Sequence, residues 1–191
     1  MGLSAKQHEI LRKPLNSSRV ATRTQGGKQL SYLESFDVRA HLIRTFGYGN
    51  FDVELLDYHH VGNRTYEANG KDMVEVIYTA RVRLVIRDPD GHWLCTYIEG
   101  AGGSASGPAT MLGDHHDNAL KTAESDAMKR CAVNLGSQFG LSLYDQGSTR
   151  EVVRGSIVGP EAEPLTDEQV AALRHSLGAT EAESTEEKVE A

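Results

Sequence analysis

The sequence predicts an α+β domain, an antiparallel sheet with a long hairpin and a long helix packed on one face. Three observations carry this expectation. Val74, Val76, Tyr78, Ala80, Val82, Leu84 and Ile86 share one parity, as a half-buried strand requires. Pro89-Asp90-Gly91 then supplies a turn, and His92–Ile98 returns as the second strand of a hairpin. From Asp117 to Leu135 the period changes, and Ala119, Leu120, Ala123, Ala127, Cys131 and Leu135 form one helical stripe.

The remaining elements follow in order. A basic N-terminal arm ends in a Gly26-Gly27 turn. Ser31 and Glu34 fit a capping box, so a helix is expected there, with Val38, Leu42, Ile43 and Phe46 on its apolar side. Gly47 and Gly49-Asn50 end it. Phe51, Val53 and Leu55 alternate with polar residues and predict a strand. On the long strand the opposite parity holds Glu75, Thr79, Arg81, Arg83 and Arg87, interrupted by Ile77 and Val85, so the second sheet face should be polar and basic. The small residues from Gly100 to Gly107 read as a loop. The domain is taken as residues 1–147. Residues 148–164, with Gly155, Gly159, Pro160 and Pro164, read as a linker. Residues 165–191 hold a short helix from Thr166 to Leu177, boxed by Thr166 and Gln169, and a Glu-rich disordered tail.

A length of 191 residues suits one domain of ordinary size with a tail. The net charge of −7 is unevenly distributed. Residues 151–191 hold three cations against ten acids, whereas residues 1–150 hold 17 of each. Within that balanced body, residues 1–28 carry six cations and one acid, Glu9. A basic arm with an acidic tail points towards nucleic acid or a regulated contact. No stretch approaches the ~18 uncharged apolar residues of a membrane helix. Met1–Arg23 has no apolar core for a secretory signal, and Cys95 and Cys131 sit in apolar-periodic segments as buried thiols. A cytoplasmic location is therefore expected.

Candidate chemistry narrows quickly. A phosphate-binding P-loop needs an upstream glycine and Gly-Lys-Ser/Thr. The Gly-Lys pairs here are Gly27-Lys28, followed by Gln29, and Gly70-Lys71, followed by Asp72, so an ATP-driven motor is disfavoured. His59-His60 and Asp114-His115-His116-Asp117 read as polar loops, with Asp114 or Asp117 as a helix N-cap, and no metal site is expected. Asp52 and Glu54 share a strand face and could hold magnesium in a nuclease, although exposed strand acids are commoner. The cations carry more. Single-strand binders set a positive groove along the phosphates and aromatics beside the bases. Arg23 and Lys28 precede Tyr32, while Arg81, Arg83 and Arg87 share a strand face. Lys129-Arg130 sits on an Ala-rich helix, where adjacent cations repel unless an anion such as Asp126 lies nearby.

Gly26–Glu34, Phe46–Phe51, Ala80–Leu84 with Asp90-Gly91 and Glu99-Gly100, and above all Ala119–Arg130 with Asn134-Leu135-Gly136 occur in one order. Over about residues 15–147 the chain resembles the annealing domain of Rad-fifty-two-type recombination proteins of eukaryotes and phages. The resemblance implies a β-β-β-α core with flanking helices, and subunits assembled into a ring or helix with a positive outer groove. Single-stranded DNA would lie there with phosphates inward and bases free. Lys129 and Arg130 would meet phosphates at the groove floor. Arg23 and Tyr32 would stand beside them, and Arg87 would fall near a lysine of the family's second, outer DNA site. Val133 stands where the family often carries a further arginine, a loss that Arg81 and Arg83 could offset. The chain lacks the long C-terminal region with which eukaryotic members recruit partners, leaving the short helix and acidic tail for some other protein. The function expected is ATP-independent binding and annealing of single strands in homologous recombination and double-strand break repair, with no cofactor and no bond-breaking step. A magnesium-dependent nuclease using Asp52, Glu54 or Asp114 and a passive strand-protecting ring are the alternatives.

Overall fold

One long strand with alternate apolar residues organises the molecule. The computed structural model describes residues 2–153, together with positions 168, 171 and 172, which are helical. In order, the elements are α1 (Ala5–Leu11), β1 (Val20–Gln25), β2 (Lys28–Leu33), α2 (Ser35–Phe46), β3 (Phe51–Ala68), β4 (Lys71–Arg87), β5 (Trp93–Pro108) and α3 (Leu112–Val133). Two 3-10 turns, Ser137–Phe139 and Leu141–Tyr144, close the set. β3, β4 and β5 form an antiparallel sheet in that order, and β1 and β2 form a separate hairpin. Among the described residues no helix is long and apolar enough to cross a membrane.

The parity of β4 settles the layers. Val74, Val76, Ala80, Val82, Leu84 and Ile86 are all buried. They meet the buried α3 stripe of Ala119, Ala123, Ala127 and Cys131, and α2 adds Val38, Leu42 and Phe46 to the same core. The thiol of Cys131 donates to the Val82 carbonyl at 3.3 Å. Cys95, expected to be buried, is also a free thiol but only half-buried, and burial pushes both thiol pKa values up.

Several expectations are corrected. Gly100–Gly107 is not a loop but the second half of β5, paired with β4 from Arg81↔Gly100 to Val74↔Gly107. The glycines are there because α3 lies directly on the strand. A Cβ at Gly103 would collide with the Ala119 carbonyl and the Ala123 amide, and one at Gly107 would sit 2.5 Å from the His115 ring. His59-His60 is likewise no loop, because β3 runs on through two register shifts to a hairpin turn at Asn69-Gly70. α3 starts earlier than its periodicity suggests, at Leu112, which takes Asp114–Asp117 into the helix, and neither aspartate caps it. The expected box at Ser31 and Glu34 does not form. Ser31 pairs with Thr22 inside the β1–β2 hairpin, and α2 begins after Glu34 without a side-chain cap.

The N-terminal segment is also more than an arm. Arg19 grips Asp37 of α2 through three hydrogen bonds of 2.8–3.1 Å, and both side chains are nearly buried, at 12% and 13% exposure. Arg19 also donates to Gln138 Oε1 at 3.1 Å, and Gln138 Nε2 donates to the carbonyls of Lys13 and Pro14. Residues 148–153 return along this corner, where the Leu15 amide donates to the Thr149 carbonyl and the Val152 amide to Ser137 Oγ. The rest of the expected linker, the Thr166–Gln169 box and the Glu-rich tail lie outside the described residues.

Gly103→Ala should lower the unfolding free energy by about 2–3 kcal/mol in urea titration, since overpacking there must move helix backbone. Gly102→Ala, whose Cβ would meet only the Tyr78 carbonyl at 3.8 Å, should change it by less than about 1 kcal/mol. His41 is buried edge-on against Phe139, and burial, reinforced by Arg19 and Arg44, lowers its pKa from 6.5 to about 4. The unfolded chain therefore takes up a proton on acidification before the folded one does. Stability should be full above pH 6.5 and fall by about 3 kcal/mol as pH drops towards 4. His41→Asn should flatten that part of the pH–stability curve.

Candidate functional site

The β1–β2 hairpin faces the C-terminal half of α3, and the space between them is a cleft of about 920 Å³. The hairpin contributes Arg23, Lys28 and Tyr32; α3 contributes Asp126, Lys129, Arg130 and Val133. Leu33, Val38 and Phe139 are the cleft's buried apolar lining, and Leu143, Tyr144, Gln146 and Gly147 also line it. Arg23, Lys28, Tyr32, Lys129 and Arg130, singled out from sequence, thus lie in one cleft although about a hundred positions separate the two groups along the chain.

The strand register explains the placement. Arg23 pairs with Leu30, so Tyr32 is its diagonal neighbour on the same hairpin face. The Arg23 guanidinium lies 5.4 Å from the centre of the Tyr32 ring, and Lys129 Nζ reaches the same ring from α3 at 5.6 Å. The electron-rich face of the tyrosine thereby holds two cations near each other. The Tyr32 hydroxyl donates to Glu34 at 2.9 Å, and that bond raises the phenol pKa, keeping the ring neutral at ordinary pH. Lys129 also pairs with Asp126 at 2.7 Å, which relieves part of the Lys129-Arg130 repulsion. Arg130 donates to the Gly100 carbonyl at 3.1 Å and stays largely exposed. Four cations therefore converge on a cleft whose lining, among the described residues, holds one carboxylate, Asp126.

Arg81, Arg83 and Arg87 are placed elsewhere. They project from the face of β4 opposite α3, where β3 answers them with acids. Arg81 is hydrogen-bonded to Asp57, which raises its pKa further, Arg83 to Glu54 at 3.1 Å, and Arg87 is paired with Asp52. This face is close to charge-balanced rather than basic. Asp52 and Glu54, weighed as magnesium ligands, are each engaged by an arginine.

The histidines are occupied too. A ring nitrogen of His115 lies 3.1 Å from the Pro108 carbonyl, and His116 bonds the Tyr78 hydroxyl at 2.9 Å. His60 packs its ring beside Tyr78 and His116, at 5.1 and 5.2 Å between centroids. Among the described residues the group whose possible ligand atoms converge is Asp88, Asp90 and His92. There the Asp88 carboxylate accepts the amides of Asp90 and His92 and braces the β4–β5 turn.

Sequence reasoning missed Glu34 as the partner of Tyr32, and it missed Leu143 and Tyr144 as cleft residues. Residues 137–147 follow neither the helical nor the strand period, so no pattern marked them.

Comparison with known proteins adds one finding. The profile of a family described as Rad52/22 family double-strand break repair protein matches residues 4–158, which covers every cleft residue. No curated protein matches the chain.

Proposed function

Because the chain belongs to the Rad52/22 family of double-strand break repair proteins, we propose that it binds single-stranded DNA in this cleft and anneals complementary strands without ATP. The observation that carries the reading is the convergence of Arg23, Lys28, Lys129 and Arg130 on one cleft with a single lining carboxylate among the described residues. Cations in that arrangement displace counterions from a phosphate backbone, a gain that does not depend on sequence. Tyr32 keeps two of them from spreading apart.

Annealing then needs no covalent step. A strand held by its phosphates leaves Watson–Crick edges free to sample a second strand, and duplex formation supplies the driving force. Several copies of the chain, arranged as a ring or helix, would join their clefts into one continuous groove and keep the strand extended. Arg81, Arg83 and Arg87 form a second strip in this reading. Each must exchange a carboxylate for a phosphate, as Lys129 must with Asp126, so each contributes less than Arg23, Lys28 or Arg130. The acidic segment beyond residue 153 is left for a protein partner.

The test is pairing of complementary oligonucleotides in EDTA without nucleotide, run beside strand-binding titrations over a salt series. The parent chain should accelerate pairing and leave strand length intact. Lys129→Ala and Arg130→Ala should each weaken strand binding by about tenfold, slow pairing, and reduce the log–log salt slope by about 0.7. Unchanged affinity and slope in both variants would remove the cleft from the reading. Tight binding without faster pairing would leave only strand protection, and shortening of strands in magnesium but not in EDTA would point to a nuclease.

A further inference from the structure

Three aromatic side chains line the cleft, and their surroundings differ sharply. Phe139 belongs to the core, at 2% exposure. Tyr32 has its ring covered by Arg23 and Lys129 and its hydroxyl bound to Glu34. Tyr144 is 72% exposed and makes no hydrogen bond or ring contact among the described residues.

The backbone holds Tyr144 in that position. Gly140, with φ of 95°, turns the chain into the 3-10 turn Leu141–Tyr144. Leu143 packs against the core, and Tyr144 lies beside it at the cleft edge. Gln146 and Gly147, both at positive φ, carry the chain out again. Tyr48 and Phe36 are at least as exposed, at 85% and 75%, but neither lines the cleft. Place is what singles Tyr144 out: it lines the same cleft as the four cations, so a ligand with a flat apolar face and attached anions would meet both.

Resting on the function proposed above, we propose that Tyr144 is a stacking platform for one nucleobase of the strand whose phosphates those cations hold. Tyr32 and Tyr144 then divide the work. Tyr32 spends its ring on positioning cations, and Tyr144 offers its ring to the ligand. Stacking on a tyrosine tolerates any base, so the contact adds affinity without a sequence code.

The test compares a thymidine oligonucleotide with an abasic strand of equal length and phosphate number, using fluorescence anisotropy with the full chain. Tyr144→Ala should weaken binding of the thymidine strand by about tenfold and leave the abasic strand unaffected. Tyr144→Phe should behave as the parent, since the ring and not the hydroxyl is used. Lys129→Ala should weaken both strands alike. If Tyr144→Ala weakens both strands equally, or neither, while Lys129→Ala weakens both, the stacking role is wrong and the cationic cleft stands. If the parent chain binds neither strand, the functional reading fails and the stacking role with it.

Discussion

The backbone of α3 lies directly on β5, and the site depends on that closeness. Side chains normally hold a helix well off the sheet beneath it. Here Gly103 and Gly107 leave room for the helix backbone and for His115, while Ala119, Ala123 and Ala127 keep the helix face thin. A tight, rigid seat fixes where the helix points. Lys129 and Arg130 follow about two turns after that seat, on the part of α3 that faces the β1–β2 hairpin. A catalytic or binding group on a well-seated helix is positioned better than one on a loop.

The second requirement is to hold like charges together without a ligand. No single contact does this strongly. A half-buried surface ion pair such as Lys129–Asp126 contributes about 1 kcal/mol or less, and a cation–π contact at such a site about 0.5–1 kcal/mol. Their combined effect is arrangement more than stability. Arg19 has the opposite character. Nearly buried and held by Asp37 and Gln138, it anchors the chain just before β1 and so fixes the base of the hairpin that carries Arg23 and Tyr32. The basic N-terminal segment therefore contains Arg19, which builds the fold, and Arg23 and Lys28, which face the cleft.

Much of this was legible in the residues, and the misreadings have physical causes. The parity of Val74–Ile86 marked β4 because one face of that strand is core, and the alanine stripe marked α3 for the same reason. Glycine-rich β5 was taken for a loop because small residues carry no periodic signal; their meaning lies in the helix above them, which is a tertiary fact. Ser31 and Glu34 matched a capping pattern, but Ser31 had a better partner in Thr22 across a hairpin that Gly26-Gly27 turns. The site shows the same division. Lys129-Arg130 stood out as adjacent cations on an apolar helix. Arg81, Arg83 and Arg87 also stood out, but their neutralising acids come from β3, and strand register cannot be read from β4 alone. Tyr144 did not stand out because exposure at a cleft is a tertiary property that no local pattern encodes.

The central claim is a location: the strand runs between the β1–β2 hairpin and the end of α3. Photo-crosslinking of a strand carrying 4-thiothymidine, with the attached peptides identified by mass spectrometry, tests it most directly. The account predicts adducts within residues 23–32 and 126–147, and their loss when unlabelled single strand competes. Adducts confined to the outer face of β3 and β4, around residues 52–57 and 81–87, would contradict it.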